Sequence, residues 1–87
     1  MKKVEIGRVY RHFKGNYYFV ENIAYDSGTQ ERMVVYKPLY PRDDDKLIWV
    51  RPESMFLASI PLDKPNNITK QTQRFQLCEN IEKDYTK

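Results

Sequence analysis

The sequence predicts an all-β fold, a small barrel or roll with one short helical turn. Three observations carry this. Short runs rich in aromatic and β-branched residues recur from Val9 to Arg51, turns bearing glycine and asparagine separate the first of them, and no stretch keeps a helical period long enough for a bundle. With 87 residues there is room for one domain; a chain of that size buries only about 60–65% of the surface its unfolded form exposes. Hydrophobic residues at 40% against 31% charged place it with globular rather than disordered chains. Aromatic residues, at 14%, give a short chain large rings from which to build its core.

Gly7 marks a turn, and Val9–Phe13 then alternates, with Val9, Arg11 and Phe13 on one side and Tyr10 and His12 on the other. Lys14-Gly15-Asn16 is a tight-turn signal, because Gly and Asn tolerate positive φ. Tyr17–Ala24 reads as the returning strand, and Asp26-Ser27-Gly28-Thr29 as the next turn. Arg32–Tyr40 carries the apolar run Met33–Tyr36, which suits a strand covered on both faces or strongly bent, and Pro38 ends it or turns its edge outward. Pro41–Asp45 is a polar loop, Leu47–Arg51 a fourth strand, and Pro52 its stop.

Pro52–Phe56 fits a single helical turn with Pro at its first position and with Met55 and Phe56 as core anchors. Leu57–Ile60 extends again before Pro61, and the polar stretch from Pro61 to Gln73 reads as a long mobile loop. Arg74–Leu77 alternates and supplies a closing strand. Residues 1–78 thus make a single domain, and 79–87 a polar C-terminal tail.

Charge and cysteine content narrow the function classes. The net charge is +3, and Lys2, Lys3, Arg8, Arg11 and Lys14 face only Glu5 within the opening stretch. That stretch can attract phosphate, or it can guard a first strand against pairing with another chain. Cys78 is the sole cysteine, so no internal disulfide forms. The longest apolar runs, Met33–Tyr36 and Leu47–Val50, fall far short of the roughly 20 residues that span a bilayer. No apolar segment follows the basic N-terminus as a signal peptide requires, so Asn67-Ile68-Thr69 is not expected to serve as a glycosylation acceptor, and the expected location is the cytoplasm.

No catalytic, metal or cofactor constellation emerges. His12 is the only histidine, Cys78 lies far from it in sequence, and no third partner is indicated. Asp43-Asp44-Asp45 lacks the glycine and the bidentate glutamate of a calcium loop, and Arg42 and Lys46 flank it. Gly7, Gly15 and Gly28 are isolated, so no phosphate-cradling loop exists. The expectation is a protein that is not an enzyme and needs no cofactor or metal.

The most informative segment is Leu47-Ile48-Trp49-Val50-Arg51. Strand alternation puts Ile48 and Val50 on one face and Trp49 with Arg51 on the other. If the aliphatic pair points inward, Trp49 stands outside beside a cation as a contact surface. If both faces are covered, Trp49 packs beneath the Pro61–Gln73 loop with Arg51 stacked on its ring. Tyr10, His12, Tyr36 and Tyr40 are candidates to extend such a ligand-binding patch, along with Tyr17, subject to strand register.

Several spaced blocks together are similar to a small bacterial family of unknown function. They are Tyr10-Arg11-His12-Phe13-Lys14-Gly15-Asn16, then Tyr18 and Val20, then Val34-Val35-Tyr36 with Leu39-Tyr40, and Trp49-Val50-Arg51-Pro52 with Met55-Phe56. The resemblance runs from about Gly7 to Phe56, with an echo at Arg74-Phe75, while the Pro41–Lys46 and Pro61–Gln73 loops look longer than usual. It implies an SH3-like barrel standing alone in the cytoplasm and assigns no activity. The leading reading is a binding module that recognises a peptide, protein or small ligand through aromatic and basic side chains. Its rival is a nucleic-acid-binding module using the basic N-terminal hairpin, held second by the weak net charge. No membrane role is expected.

Overall fold

The computed structural model describes residues 3–40 and 48–78. Five strands and one helical turn follow in the order β1 (Val9–His12), β2 (Tyr17–Tyr25), β3 (Arg32–Pro38), β4 (Trp49–Pro52), α1 (Glu53–Phe56) and β5 (Phe75–Leu77). They form one antiparallel sheet in the spatial order β4-β3-β2-β1-β5. The first four strands make a meander, and β5 returns to the free side of β1. The Pro41–Asp45 loop, Leu47 and the 79–87 tail lie outside the described residues.

Turn chemistry explains the meander. Gly15 sits at φ +111° in the hairpin that sets Arg11 opposite Tyr17, and a Cβ there would come within 3.0 Å of the Ile68 side chain. The next turn is held by Asp26, whose Oδ1 accepts from the backbone N–H groups of Gly28 and Thr29, and these bonds keep its carboxyl below its usual pKa. Between them β2 takes one extra residue: Val20 faces Tyr36, yet Asn22 faces Val35, leaving Glu21 as a bulge.

The two edge strands approach one another. Arg51 on β4 places its guanidinium 5.7 Å from the ring centroid of Phe75 on β5, so the sheet curls strongly about its inner face. That face holds Tyr10, Tyr18, Val20, Val34, Tyr36, Phe56 and Phe75 in one buried cluster. Phe56 and Phe75 stack at 4.0 Å with planes 5° apart, and Tyr36 meets both edge-on at 5.4 and 5.5 Å. Glu53 at the start of α1 ties the ends together. Its carboxylate accepts from the Val4 N–H and from Arg32 Nε on β3.

Three sequence expectations are corrected. Met55 is not a core anchor: it is 46% exposed, and Phe56 alone drops inward from the helical turn. Ile48 and Val50 do not point inward. They are 54% and 59% exposed, because β4 pairs Trp49 with Tyr36 and Arg51 with Val34, which puts the aromatic and the cation on the inner face.

The third concerns Pro61–Gln73, which is a fixed structure. Asn67, 4% exposed, donates through Nδ2 to the carbonyls of Pro61, Leu62 and Gln71, and its Oδ1 accepts from the Gln71 N–H. Gln71 is buried too and donates to the Arg11 carbonyl of β1, fastening the loop to the sheet. Before and after it, Ile60 N bonds Thr72 O and Arg74 N bonds Ala58 O, so the segment after α1 pairs with the approach to β5.

Candidate functional site

At the border of the inner face two aromatic side chains, Trp49 and Tyr40, are only part-covered. Tyr18 is the hub. Its ring lies 6.2 Å from Trp49, 5.9 Å from Tyr40, 5.6 Å from Tyr36, 5.4 Å from Phe75 and 6.2 Å from His12. Trp49 and Tyr40 are half-buried at the rim, while Tyr36 and Phe75 form the floor. Arg51 donates from Nε to the Tyr36 hydroxyl at 3.2 Å with its guanidinium over Phe75, so its stacking partner is that ring and not Trp49.

Of the six residues singled out from sequence, Trp49, Arg51, His12, Tyr36 and Tyr40 converge on this face. Tyr10 shares the face but lies deeper, packed 5.2 Å from Phe56, with its hydroxyl accepting from the Glu5 N–H. Burial pushes the Tyr10 phenol above its usual pKa. Tyr17 points the other way, beneath the Arg11 guanidinium. Tyr18 and Phe75 were missed as site residues. The hairpin carried the signal for Tyr18, since a tight turn at Lys14–Asn16 sets Tyr10 opposite Tyr18 and hence both on the face of His12.

Electrostatics distinguish the face. Burial first, and then the charges of Lys14, Arg51 and Arg74, hold the His12 imidazole down to about 4. Among the described residues the charged groups acting on it are all positive. His12 Nδ1 accepts from the Lys14 N–H at 3.1 Å, which leaves the ring proton on Nε2 as a donor. Burial, with the Tyr40 hydroxyl beside it, raises the Tyr18 phenol so that it stays protonated.

The His12 shift predicts a pH dependence. The folded pKa lies below the ordinary value of 6.5, so the unfolded chain takes up the proton first as pH falls. This contribution is complete above pH 6.5, is lost as pH drops towards about 4, and changes no further below that. Urea denaturation across the window should show the parent losing about 2–3 kcal/mol more than His12→Gln. Equal slopes for the two proteins would remove His12 as the cause.

A separate hollow of about 540 Å³ lies beside the N-terminal segment, lined by Lys3, Glu5, Tyr10, Leu57, Gln73 and Leu77. Among the described residues it takes in no ring of the aromatic face except that of Tyr10, and Lys3 and Glu5 in its lining are opposite in charge. Among the described residues no helix is long and apolar enough to cross a membrane, and no three His, Cys, Asp or Glu side chains gather as a metal site would need.

Comparison with known proteins adds the family. A search of the curated proteins gave no match. The chain is similar to a crystal structure of a DUF1653 protein from Bordetella bronchiseptica, with 26% identity, a TM-score of 0.63, and coverage of 87% of this chain and 85% of that one. The family model described as protein of unknown function (DUF1653) matches residues 8–77, a span holding all five strands, the helical turn and every ring of the inner face. The chain belongs to the DUF1653 family.

Proposed function

We propose that the protein is a non-enzymatic binding module whose ligand sits on the inner aromatic face, between Trp49 and Tyr40 at the rim and Arg51 beside them. One observation carries the reading: half-buried Trp49 and Tyr40 border the buried cluster of Tyr18, Tyr36 and Phe75, with the Arg51 guanidinium held over Phe75 beside them. Rings supply apolar area at low entropic cost, and a guanidinium held over a ring offers directed donors. A peptide, protein segment or small molecule with a flat or apolar group fits this chemistry, and we place the module in the cytoplasm.

The N-terminal cations lend less to a nucleic-acid reading, because they are spread out. Arg8 pairs with Glu5, Arg11 lies over Tyr17 on the opposite face, and Lys14 stands at the hairpin tip.

Fragment screening by amide chemical shifts tests the proposal. Hits should cluster on Tyr18, Tyr40, Trp49 and Arg51, and Trp49→Ala should weaken them by about tenfold or more while the fold persists. Arg51→Lys should also weaken binding, since lysine lacks the planar fork. Hits gathered instead at the hollow beside Lys3 and Gln73 would overturn the assignment.

A further inference from the structure

Phe13 carries three cations. The Lys14 ammonium lies 5.9 Å from its ring centroid, the Lys64 ammonium 5.6 Å and the Arg74 guanidinium 5.9 Å. The ring is buried and belongs to the hairpin tip. The cations come from three separate stretches of chain: the hairpin, the Pro61–Gln73 loop and the residue before β5. Grouped around one ring, no two of them stand more than about 12 Å apart, so they repel one another across a short gap.

Nothing among the described residues neutralises them. The ion-paired carboxylates are engaged elsewhere: Glu5 with Arg8, Glu21 with Lys37 and Glu53 with Arg32. Asp26 is spent on its own turn. Asp63, next to Lys64 in sequence, is exposed and makes no ion pair. The Nε of Arg74 is buried and has no hydrogen-bond partner among the described residues, which leaves a donor waiting for an acceptor.

The backbone fixes the three segments together. Phe13 N–H donates to the Arg74 carbonyl at 3.1 Å, Arg74 N–H donates to Ala58, and Thr69 Oγ1 donates to the Phe13 carbonyl at 3.3 Å. The segments from which the three cations project are therefore held together before a ligand arrives, and only the side chains remain to be ordered. The His12 ring, 4.4 Å from Phe13, borders the cluster with its Nε2–H donor.

We infer that the junction around Phe13 binds a compact multivalent oxyanion, the phosphate group of a small phosphomonoester or diphosphate, through Lys14, Lys64 and Arg74. A cluster one ring wide suits a single concentrated charge. A nucleic-acid strand calls instead for cations strung along a track. The site does not depend on the aromatic face and shares only His12 with it.

The test titrates inorganic pyrophosphate, inorganic phosphate, malonate and a short oligothymidylate into the protein at matched ionic strength, following the Arg74 Nε–H and the amides of Lys14 and Gly15. Pyrophosphate should bind tightest, shift these signals selectively and raise the melting temperature. Lys64→Gln, at a side chain outside the core, should weaken it by about tenfold with the parent's melting temperature kept, and Arg74→Gln should abolish it. Trp49→Ala should leave it intact, so failure here and failure of the aromatic-face reading are separable. Shifts no larger than those with chloride would overturn the site. Tighter binding of malonate or of the oligonucleotide would overturn the ligand class.

Discussion

Phe56→Ala is expected to remove a large part of the protein's stability. The ring is fully buried, stacks on Phe75 at 4.0 Å and takes the edges of Tyr10 and Tyr36. Removing it opens a cavity at the point where α1, β3 and β5 meet, and such truncations cost about 3–5 kcal/mol. Domains of this size hold only about 5–15 kcal/mol in total. Met55→Ala is the matched control: its neighbouring side chain is 46% exposed, so the change should stay within about half a kcal/mol. Urea midpoints for the two variants give the comparison. Near-equal values would mean that the helical turn does not anchor the core.

Asn67→Asp should be almost as damaging although it alters one atom in size and shape very little. The Nδ2 group donates to three backbone carbonyls, and the substitution turns that donor into an acceptor facing them. A charged oxygen then sits buried against three others, a loss of about 3 kcal/mol or more. The sign of its pH dependence is diagnostic. Repulsion and burial raise the introduced carboxyl's folded pKa, so the penalty applies at neutral pH and fades as pH falls and the group protonates, regaining an O–H donor. The stability gap between variant and parent should therefore narrow from pH 7 towards about pH 4. A gap that widens on acidification would show that the side chain has left its buried position.

The loop that Asn67 organises marks where sequence reading stopped. Asn, Gln and Thr between prolines look like a solvated stretch. The same polar side chains satisfy the loop's own backbone when they turn inward, and composition does not separate the two cases. Strand positions were legible because Gly15, Asp26 and Pro52 punctuate them by fixed backbone chemistry. Strand faces were harder. Met33–Tyr36 is apolar at every position, so its parity is undetermined from sequence, and β4 inherits its own parity from that strand through Tyr36↔Trp49. By composition alone, aliphatic Ile48 and Val50 are the natural interior pair. In the fold the concave face is already crowded with rings, and Trp49 completes it. The grouping of Trp49 with Arg51 was legible, as was that of Tyr10 with His12, since each needs only alternation within one strand. The cation cluster at Phe13 was not, because Lys64 and Arg74 reach it through long-range bonds.

The extra residue at Glu21 has a consequence for how the sheet finds its alignment. In an uninterrupted antiparallel pair the inward side chains of each strand recur at even intervals. The bulge joins two stretches of opposite parity. On one side of it Tyr18 and Val20 point inward, and on the other Ile23 does, an odd interval that meets the even interval between Tyr36 and Val34 only because β2 carries the extra residue. A pairing without it would carry one half of β2 out of step with the interior while the other half stayed in place. Glu21 thus works like a leap day: one uncounted residue keeps both halves of the longest strand in phase with the core.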